Sequence, residues 1–477
     1  MTSDASVDLS AFVKTYDVRG LVGSQLTPEI VEAFGAAFAD EIGPSTLGDA
    51  GIVVGHDMRD SSPEFAAAFA RGATARGANV TLLGLCSTDE TYFASGSMNA
   101  PAAMFTASHN PATYNGIKFS RAGAQGISLD TGLASIRDRA SAYLGAGAIE
   151  PVAEPGAVTP FDALESYAAY LRSLVDLSTI RPITIVVDAG NGMGGLTVPA
   201  VLETAAGLPA LPITIVPLYF ELDGTFPNHE ANPLEPKNLV DLQKAVVEHG
   251  ADLGLAFDGD ADRCFVVDEN GDAVTPSAVA AIVAVREIAR VRAASPTEGI
   301  NVIHNLITSR AVPEAIEAAG ATPVRTRVGH SLIKDEMKST GAIFGGEHSA
   351  HYYFRDFWGA DNGMLAALHV LAEFGGGDAP LSELTNRYTP YAASGEINSV
   401  VDDVPAAYAR IVDAYTGVGD FDELDGLTVS GSFDDGEFWW FNVRPSNTEP
   451  LLRLNAEAAT PAGMERVRDA VLALIRA

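Results

Sequence analysis

Pro182-Ile183-Thr184-Ile185-Val186-Val187-Asp188, running on to Gly190-Asn191-Gly192-Met193-Gly194-Gly195, is the stretch that decides the fold class. A β-branched run that stops at an acidic residue and a glycine turn is a strand feeding a helix. The same grammar restarts at Gly299-Ile300-Asn301-Val302-Ile303-His304. Upstream, Ile52 to Val54 reads as a strand, and Ser62-Pro63-Glu64 opens a helix with proline in its first turn. Val80 to Leu85 and Ala102 to Phe105 read as further strands. Repeated βα order predicts largely parallel or mixed sheets in three related α/β units. Identity between the units is too low to make them a sequence repeat.

The stretch Gly145 to Pro160 is rich in Gly, Ala and Pro and reads as a linker. Phe161 to Leu177 carries Phe161, Leu164, Ala168, Leu171 and Leu174 at helical spacing. Gly375-Gly376-Gly377 breaks the chain after the third unit. Ile397 to Val401, Leu427 to Ser430, Trp439 to Val443 and Leu451 to Leu454 then precede a helix from Pro461, a small α+β region of another kind.

The chain has 477 residues, 47% of them apolar and 19% charged, a folding composition of about three to four domains. Thirty Lys and Arg against 62 Asp and Glu give a net charge of −32, which argues against nucleic acid or anionic lipid as a partner. An anionic substrate would need a local basic cleft. Cys86 and Cys264 make no disulfide framework. The start MTSDASVDLS has neither a basic nor an apolar segment, and no apolar run reaches membrane-spanning length. The expectation is a cytoplasmic, multidomain protein without an obligate protein partner.

Five segments carry chemistry. Thr106-Ala107-Ser108-His109-Asn110-Pro111 leaves a strand and precedes Asn115-Gly116-Ile117-Lys118. A serine there is exposed on a rigid support, although a proline-closed turn is the plainer reading, and Ser-His adjacency does not make a triad. Asp258-Gly259-Asp260-Ala261-Asp262-Arg263 follows the strand Leu253 to Phe257. Its three alternate carboxylates suit Mg²⁺, Mn²⁺ or Ca²⁺, and would repel one another without a cation. A calcium loop fits positions one, three, five and twelve (Glu269), but has Arg263 where Gly belongs and strands as flanks. Gly190 to Gly195 matches a dinucleotide fingerprint, yet the expected acidic residue further on is missing, so a tight structural turn is favoured. Gly346-Glu347-His348-Ser349-Ala350-His351 can hydrogen-bond vicinal hydroxyls, or be a surface turn. Arg444-Pro445-Ser446-Asn447-Thr448-Glu449-Pro450 forms an anion cradle, or a capped turn. A nucleophile, a hard-metal loop, a polyol reader and a phosphate cradle in successive blocks are what phosphoryl transfer on a sugar phosphate requires.

In this order the motifs closely resemble the α-D-phosphohexomutase superfamily, nearly end to end. Thr15-Tyr16-Asp17-Val18-Arg19-Gly20 and Val328-Gly329-His330-Ser331 also resemble family segments. The resemblance implies four domains around a central cleft: α/β domains over 1–155, 156–271 and 272–385, and a smaller α+β domain over 386–477. It implies that Ser108 is phosphorylated and that Asp258, Asp260 and Asp262 bind Mg²⁺ with that phosphate. It implies hexose 1,6-bisphosphate as intermediate and activator. Catalytic roles then fall to Ser108, Arg19, Lys118, Arg263 and His351, with Lys118 or His351 transferring the proton. Substrate contacts fall to Tyr16, His109, His330, Lys334, Glu347, Ser349, Arg444, Ser446, Asn447 and Thr448. The sugar loop is similar to the phosphomannomutase/phosphoglucomutase pattern ending in His, with His348 and Ala350 departing from its commonest bacterial form. Phosphoglucosamine mutase and glucose-specific mutase are the alternatives within the superfamily, and an aspartyl-phosphate phosphatase or a non-catalytic binder those outside it. Arg19, Lys118, Arg263, Lys334 and Arg444 are expected to gather as a basic cleft.

Overall fold

The structure, a computed structural model, describes residues 7–297, 299–445 and 451–477. The side chains of His330 and Ser331 also lie outside the described set.

Four sheets follow one another along the chain. In the first, Val18–Leu21, Tyr114–Arg121, Ala102–Phe105, Ile52–His56, Val80–Leu85 and Val158–Pro160 lie side by side in that order. Its centre is parallel and its Tyr114–Arg121 side antiparallel. The second sheet runs Ala273–Val274, Cys264–Asp268, Leu253–Phe257, Ile183–Asp188, Ile213–Leu218. The third runs Thr322–Thr326, Asn301–Asn305, Phe344–Gly346, Tyr352–Phe354, Ala360–Asp361. Both mix a parallel centre with antiparallel additions. The fourth, antiparallel throughout, packs against the helices Val404–Tyr415 and Pro461–Ile475. This is the expected four-domain arrangement of three α/β units and a C-terminal α+β unit.

Two local readings need correction. The stretch read as a linker ends in the strand Val158–Pro160, which pairs in parallel with Val80–Leu85. Its Gly- and Pro-rich approach hid the strand. The helix read over Phe161 to Leu177 is shorter, Leu164–Leu174. Asp162 accepts the backbone N–H of Leu164, fixing a turn before the helix begins. Gly190 to Gly195 packs against the acidic loop: Met193 N donates to Gly259 O at 2.9 Å, and a Cβ on Gly192 would lie 2.7 Å from that oxygen. These glycines serve close backbone approach.

The apolar core explains which parts form one body. The first unit has its own core around Phe34, Phe69 and Phe105, and a second cluster runs from Tyr92 and Phe93 through the second and third units to Leu384. Within it Phe93, Tyr170 and Trp358, from three successive units, meet in one knot: Trp358 stacks on Tyr170 at 5.2 Å and stands edge-on to Phe93 at 6.1 Å. Gly96 makes room, because a Cβ there would lie 2.1 Å from the Trp358 ring. The C-terminal unit has a separate core around Trp439, Phe441 and Val471. It meets the third unit through polar groups: Arg325 with Asp422, Arg327 Nε donating to Leu424 O, and Arg310 N donating to Glu457.

Candidate active site

The loops singled out above leave the C-terminal ends of parallel strands: Ala102–Phe105, Leu253–Phe257 and Phe344–Gly346. In open α/β sheets that end is where ligands bind, because the loops there are freed from sheet pairing.

Two of these loops interlock. Ser108, in a left-handed backbone conformation (φ 48°), donates its Oγ proton to Asp258 Oδ2 at 2.7 Å. Gly259 lies beneath it, where a Cβ would be 2.4 Å from Ser108 O. Arg263 donates to Asp258 through its backbone N–H, Nε and Nη2. Its Nη2 also lies 2.7 Å from His109 Nδ1. A guanidinium only donates, so Nδ1 accepts and the ring proton sits on Nε2. Burial and the charge of Arg263 hold the His109 imidazole well below its usual range, hence neutral. Arg19 reaches the same loop, donating to Asn110 Oδ1 at 2.6 Å and Asp17 at 2.7 Å.

Lys118 Nζ bridges Asp260 Oδ2 (2.7 Å) and Asp262 Oδ2 (2.6 Å). Thr88 Oγ1 donates to Asp260 as well. Burial pushes Asp260 up, but the charge of Lys118 and the hydrogen bonds from Lys118 and Thr88 outweigh it, leaving the carboxyl below its usual range. Asp262 is raised to about 6 by burial and the Asp260 charge. Burial pulls Lys118 down, and the two carboxylates more than reverse it. One oxygen from each of Asp258, Asp260 and Asp262 lies within 4.8 Å of the others. Asp260 Oδ1 and Asp262 Oδ1 are buried without a hydrogen-bond partner among the described residues. Three converging carboxylates with two unsatisfied oxygens fit a hard divalent cation such as Mg²⁺.

The line continues from Asp262. His351 Nδ1 stands 4.0 Å from Asp262 Oδ1 and 3.1 Å from Asp361 Oδ2. Lys334 Nζ meets Asp361 Oδ1 at 2.9 Å and sits 3.9 Å above the Tyr92 ring. Lys334 is thus buried between Asp361 and the Tyr92 ring. Glu347 is buried, accepting from Tyr353 Oη at 2.6 Å and Asn305 Nδ2 at 3.3 Å.

A cleft of about 1330 Å³ opens beside these groups, lined by Tyr16, Asn305, Arg327, His348, Ser349, Glu396, Arg444 and Arg453 among others. Arg444 Nη2 donates to Glu396 at 2.7 Å, and its buried Nε has no hydrogen-bond partner among the described residues. Ser446, Asn447 and Thr448 lie outside the described residues, as does the His330 side chain. The five cations expected to form a basic cleft are gathered inward, but each faces a carboxylate: Arg19 Asp17, Lys118 Asp260 and Asp262, Arg263 Asp258, Lys334 Asp361, Arg444 Glu396. The cleft is charge-balanced and not basic, because an unpaired cation so deeply placed would cost several kcal/mol of desolvation.

Sequence reasoning missed Asp57 and Arg59, Thr88, Tyr353, Asp361, Glu396 and Arg453. An Asp-x-Arg pair just after the strand Ile52–His56 was the available signal for Asp57 and Arg59; the rest sit in stretches without motif character.

With this geometry in place, comparison with known proteins is decisive. Models of the phosphoglucomutase/phosphomannomutase family match in order: alpha/beta/alpha domain I over residues 11–143, domain II over 165–271, domain III over 275–391 and the C-terminal domain over 396–474. The chain belongs to the phosphoglucomutase/phosphomannomutase family. It is therefore a phosphohexomutase, an isomerase of hexose phosphates. It is 40% identical over 465 residues to a protein of Xanthomonas campestris pv. campestris described as "Phosphohexose mutases", covering 96% of this chain and 97% of that one. It is 37% identical to a "Phosphomannomutase" of Salmonella montevideo, covering 93% and 94%. A crystal structure of a phosphoglucomutase/phosphomannomutase family protein from Burkholderia thailandensis superposes with a TM-score of 0.84 at 29% identity, covering 100% of this chain and 98% of that one. Among the described residues no helix of this phosphohexomutase is long and apolar enough to cross a membrane.

Proposed function

We propose that the enzyme is a phosphomannomutase, interconverting mannose 1-phosphate and mannose 6-phosphate in the cytoplasm, with glucose phosphates as further substrates. The observation that carries this reading is Ser108 Oγ, 2.7 Å from Asp258 at the edge of a three-carboxylate cluster. The sugar-loop residues Glu347, Ser349 and His351 and the phosphomannomutase relatives support the choice of mannose.

In the proposed cycle phospho-Ser108 gives its phosphoryl group to the free hydroxyl of a hexose monophosphate. The resulting hexose 1,6-bisphosphate reorients and returns its other phosphate to Ser108. Asp258, Asp260 and Asp262, with the phosphate of Ser108, would hold Mg²⁺, which when bound supplies positive charge against the transferring group. Arg263 stands on Asp258 and aims its guanidinium at the same place; Arg19 flanks the loop. His109, neutral, accepts from Arg263 at Nδ1 and offers its Nε2–H as a donor without charge. Lys118, held protonated between Asp260 and Asp262, can only give a proton, to Ser108 Oγ as it leaves, so the hydroxyl's proton passes to His351. Glu347 and Ser349 read sugar hydroxyls. Arg444, with Ser446, Asn447 and Thr448, is assigned the phosphate that is not reacting, and Tyr16 of the cleft wall and His330 are assigned further substrate contacts. Lys334 acts through Asp361 on His351.

Phosphorus NMR on mannose 1-phosphate, glucose 1-phosphate and glucosamine 1-phosphate, each with enzyme, Mg²⁺ and a trace of hexose 1,6-bisphosphate, tests this. The mannose 6-phosphate signal is expected to grow, with glucose conversion comparable or slower. Faster conversion of glucosamine 1-phosphate would replace the substrate assignment. Inorganic phosphate without isomer would overturn the transfer scheme.

A further inference from the structure

Arg59 has no part in the chemistry above, yet its side chain is 1% exposed and all five of its N–H donors are engaged. Nη2 donates to Ser108 O (2.8 Å) and Asn110 O (2.7 Å), and Nη1 to Pro111 O (2.9 Å) and Tyr114 O (3.0 Å). Nε donates to Asp57 Oδ2 (3.2 Å). Asp57 is itself fixed, its Oδ1 accepting from Ser62 Oγ and Arg59 N. From the second unit, the Phe226 ring covers the guanidinium at 5.1 Å, and Gly224 comes so close that a Cβ there would lie 2.6 Å from Arg59 Cα.

A surface turn can leave its carbonyls to water. Here one planar fork collects four of them from the loop that carries Ser108, whose left-handed backbone needs outside support. We propose that Arg59 is a positioning residue for phosphoryl transfer: it fixes the 108–114 loop so that Ser108 Oγ is aimed at Asp258, and Gly224 and Phe226 hold that clamp from the second unit. The inference rests on Ser108 being the phosphoryl carrier. A lysine has three donors on one nitrogen and cannot span four carbonyls.

The test compares the parent with Arg59→Lys, Gly224→Ala and Phe226→Leu. Measured are thermal unfolding, kcat and KM for the hexose 1-phosphate, and the rate at which Ser108 takes phosphate from glucose 1,6-bisphosphate, followed by intact mass and peptide mapping. In folded Arg59→Lys, kcat and the Ser108 phosphorylation rate are expected to fall together by about 100-fold, as a misplaced nucleophile does, while KM stays within a few-fold. The cleft is lined by other side chains, so ligand binding has no reason to follow. Phosphorylation at the parent's rate in that variant overturns the proposal. So does a loss of kcat matched by the loss of folded protein. If Arg59→Lys does not fold, the other two decide: a kcat drop at unchanged KM supports the clamp, and parent-like kcat in both overturns it. A parent that never acquires phosphate on Ser108 instead removes the reading of the site on which Arg59 depends, a result separable from any failure of Arg59 itself.

Discussion

Ser108 lies in the left-handed region, which a side chain adopts at a cost of about 1–3 kcal/mol, and the surrounding loops meet that cost. Such placement, on the carboxylate of Asp258, is what a carrier residue needs and a structural turn does not. Ser108→Ala is therefore expected to lower turnover by on the order of 10³-fold or more while leaving hexose phosphate binding intact by calorimetry. A variant that still turns over near the parent's rate would discard the carrier role. Gly259→Ala should do similar harm from outside the reacting groups: its methyl would enter the space of Ser108 O, so the two loops must part. Turnover at the parent's level in folded Gly259→Ala would show that the loops need not touch. The motif residues were readable because their chemistry is local, three carboxylates within five positions or a serine after a strand. Arg59 was not, because its partners stand some fifty positions away and nothing in its own neighbourhood announces them.

The helix Thr88–Ser97 shows what an element adds. Its cap Ser87 accepts from Glu90 N, and Thr88 touches the acidic loop, so its first turn is drawn into the interior. That buries two neighbouring acids. Burial and the Asp89 charge push the Glu90 carboxyl up to about 8, and burial pushes Asp89 to about 7. The folded chain thus keeps a proton on Glu90 that the unfolded chain releases near 4.5. Stability tied to this group is full at acid pH and is lost as pH rises through the folded value. Glu90→Gln should match the parent in Tm near pH 4.5 and exceed it increasingly up to about pH 8, then level off. A Tm gap that ignores pH would refute the assignment. Strand and helix order was legible from periodicity, since burial of one face imposes it. Val158–Pro160 was not, because an exposed edge strand has no buried face to mark it.

At the scale of the molecule, the first three units are joined through apolar contact and the fourth through ions and backbone hydrogen bonds. Arg327, Val328, Leu424 and Asp425 belong both to that seam and to the wall of the cleft. The seam's Arg325–Asp422 pair is worth about 0–1 kcal/mol, weak enough to be exchanged in a working cycle. Arg325→Gln, which removes the partner of Asp422, is expected to raise KM for hexose 1-phosphate a few-fold and reduce its sensitivity to added salt, with little change in Tm. An unchanged KM at every salt concentration would separate the seam from substrate binding. Four successive units could be read from the sequence because each restarts its own pattern. The balance of charge in the cleft could not, because carboxylates such as Asp361 and Glu396 carry no motif and become partners only when the units close on one another.

The tryptophans divide along the same line. Of the three in the chain, Trp358 sits in the knot where three units meet, and Trp439 and Trp440 belong to the C-terminal sheet. Trp440 donates to Glu457, the residue that receives the third unit's Arg310 N–H. The molecule thus carries its own pair of optical reporters. With Trp358 replaced by Phe, the remaining emission watches the C-terminal unit and its seam during turnover; with Trp439 and Trp440 replaced, it watches whether the other three stay locked.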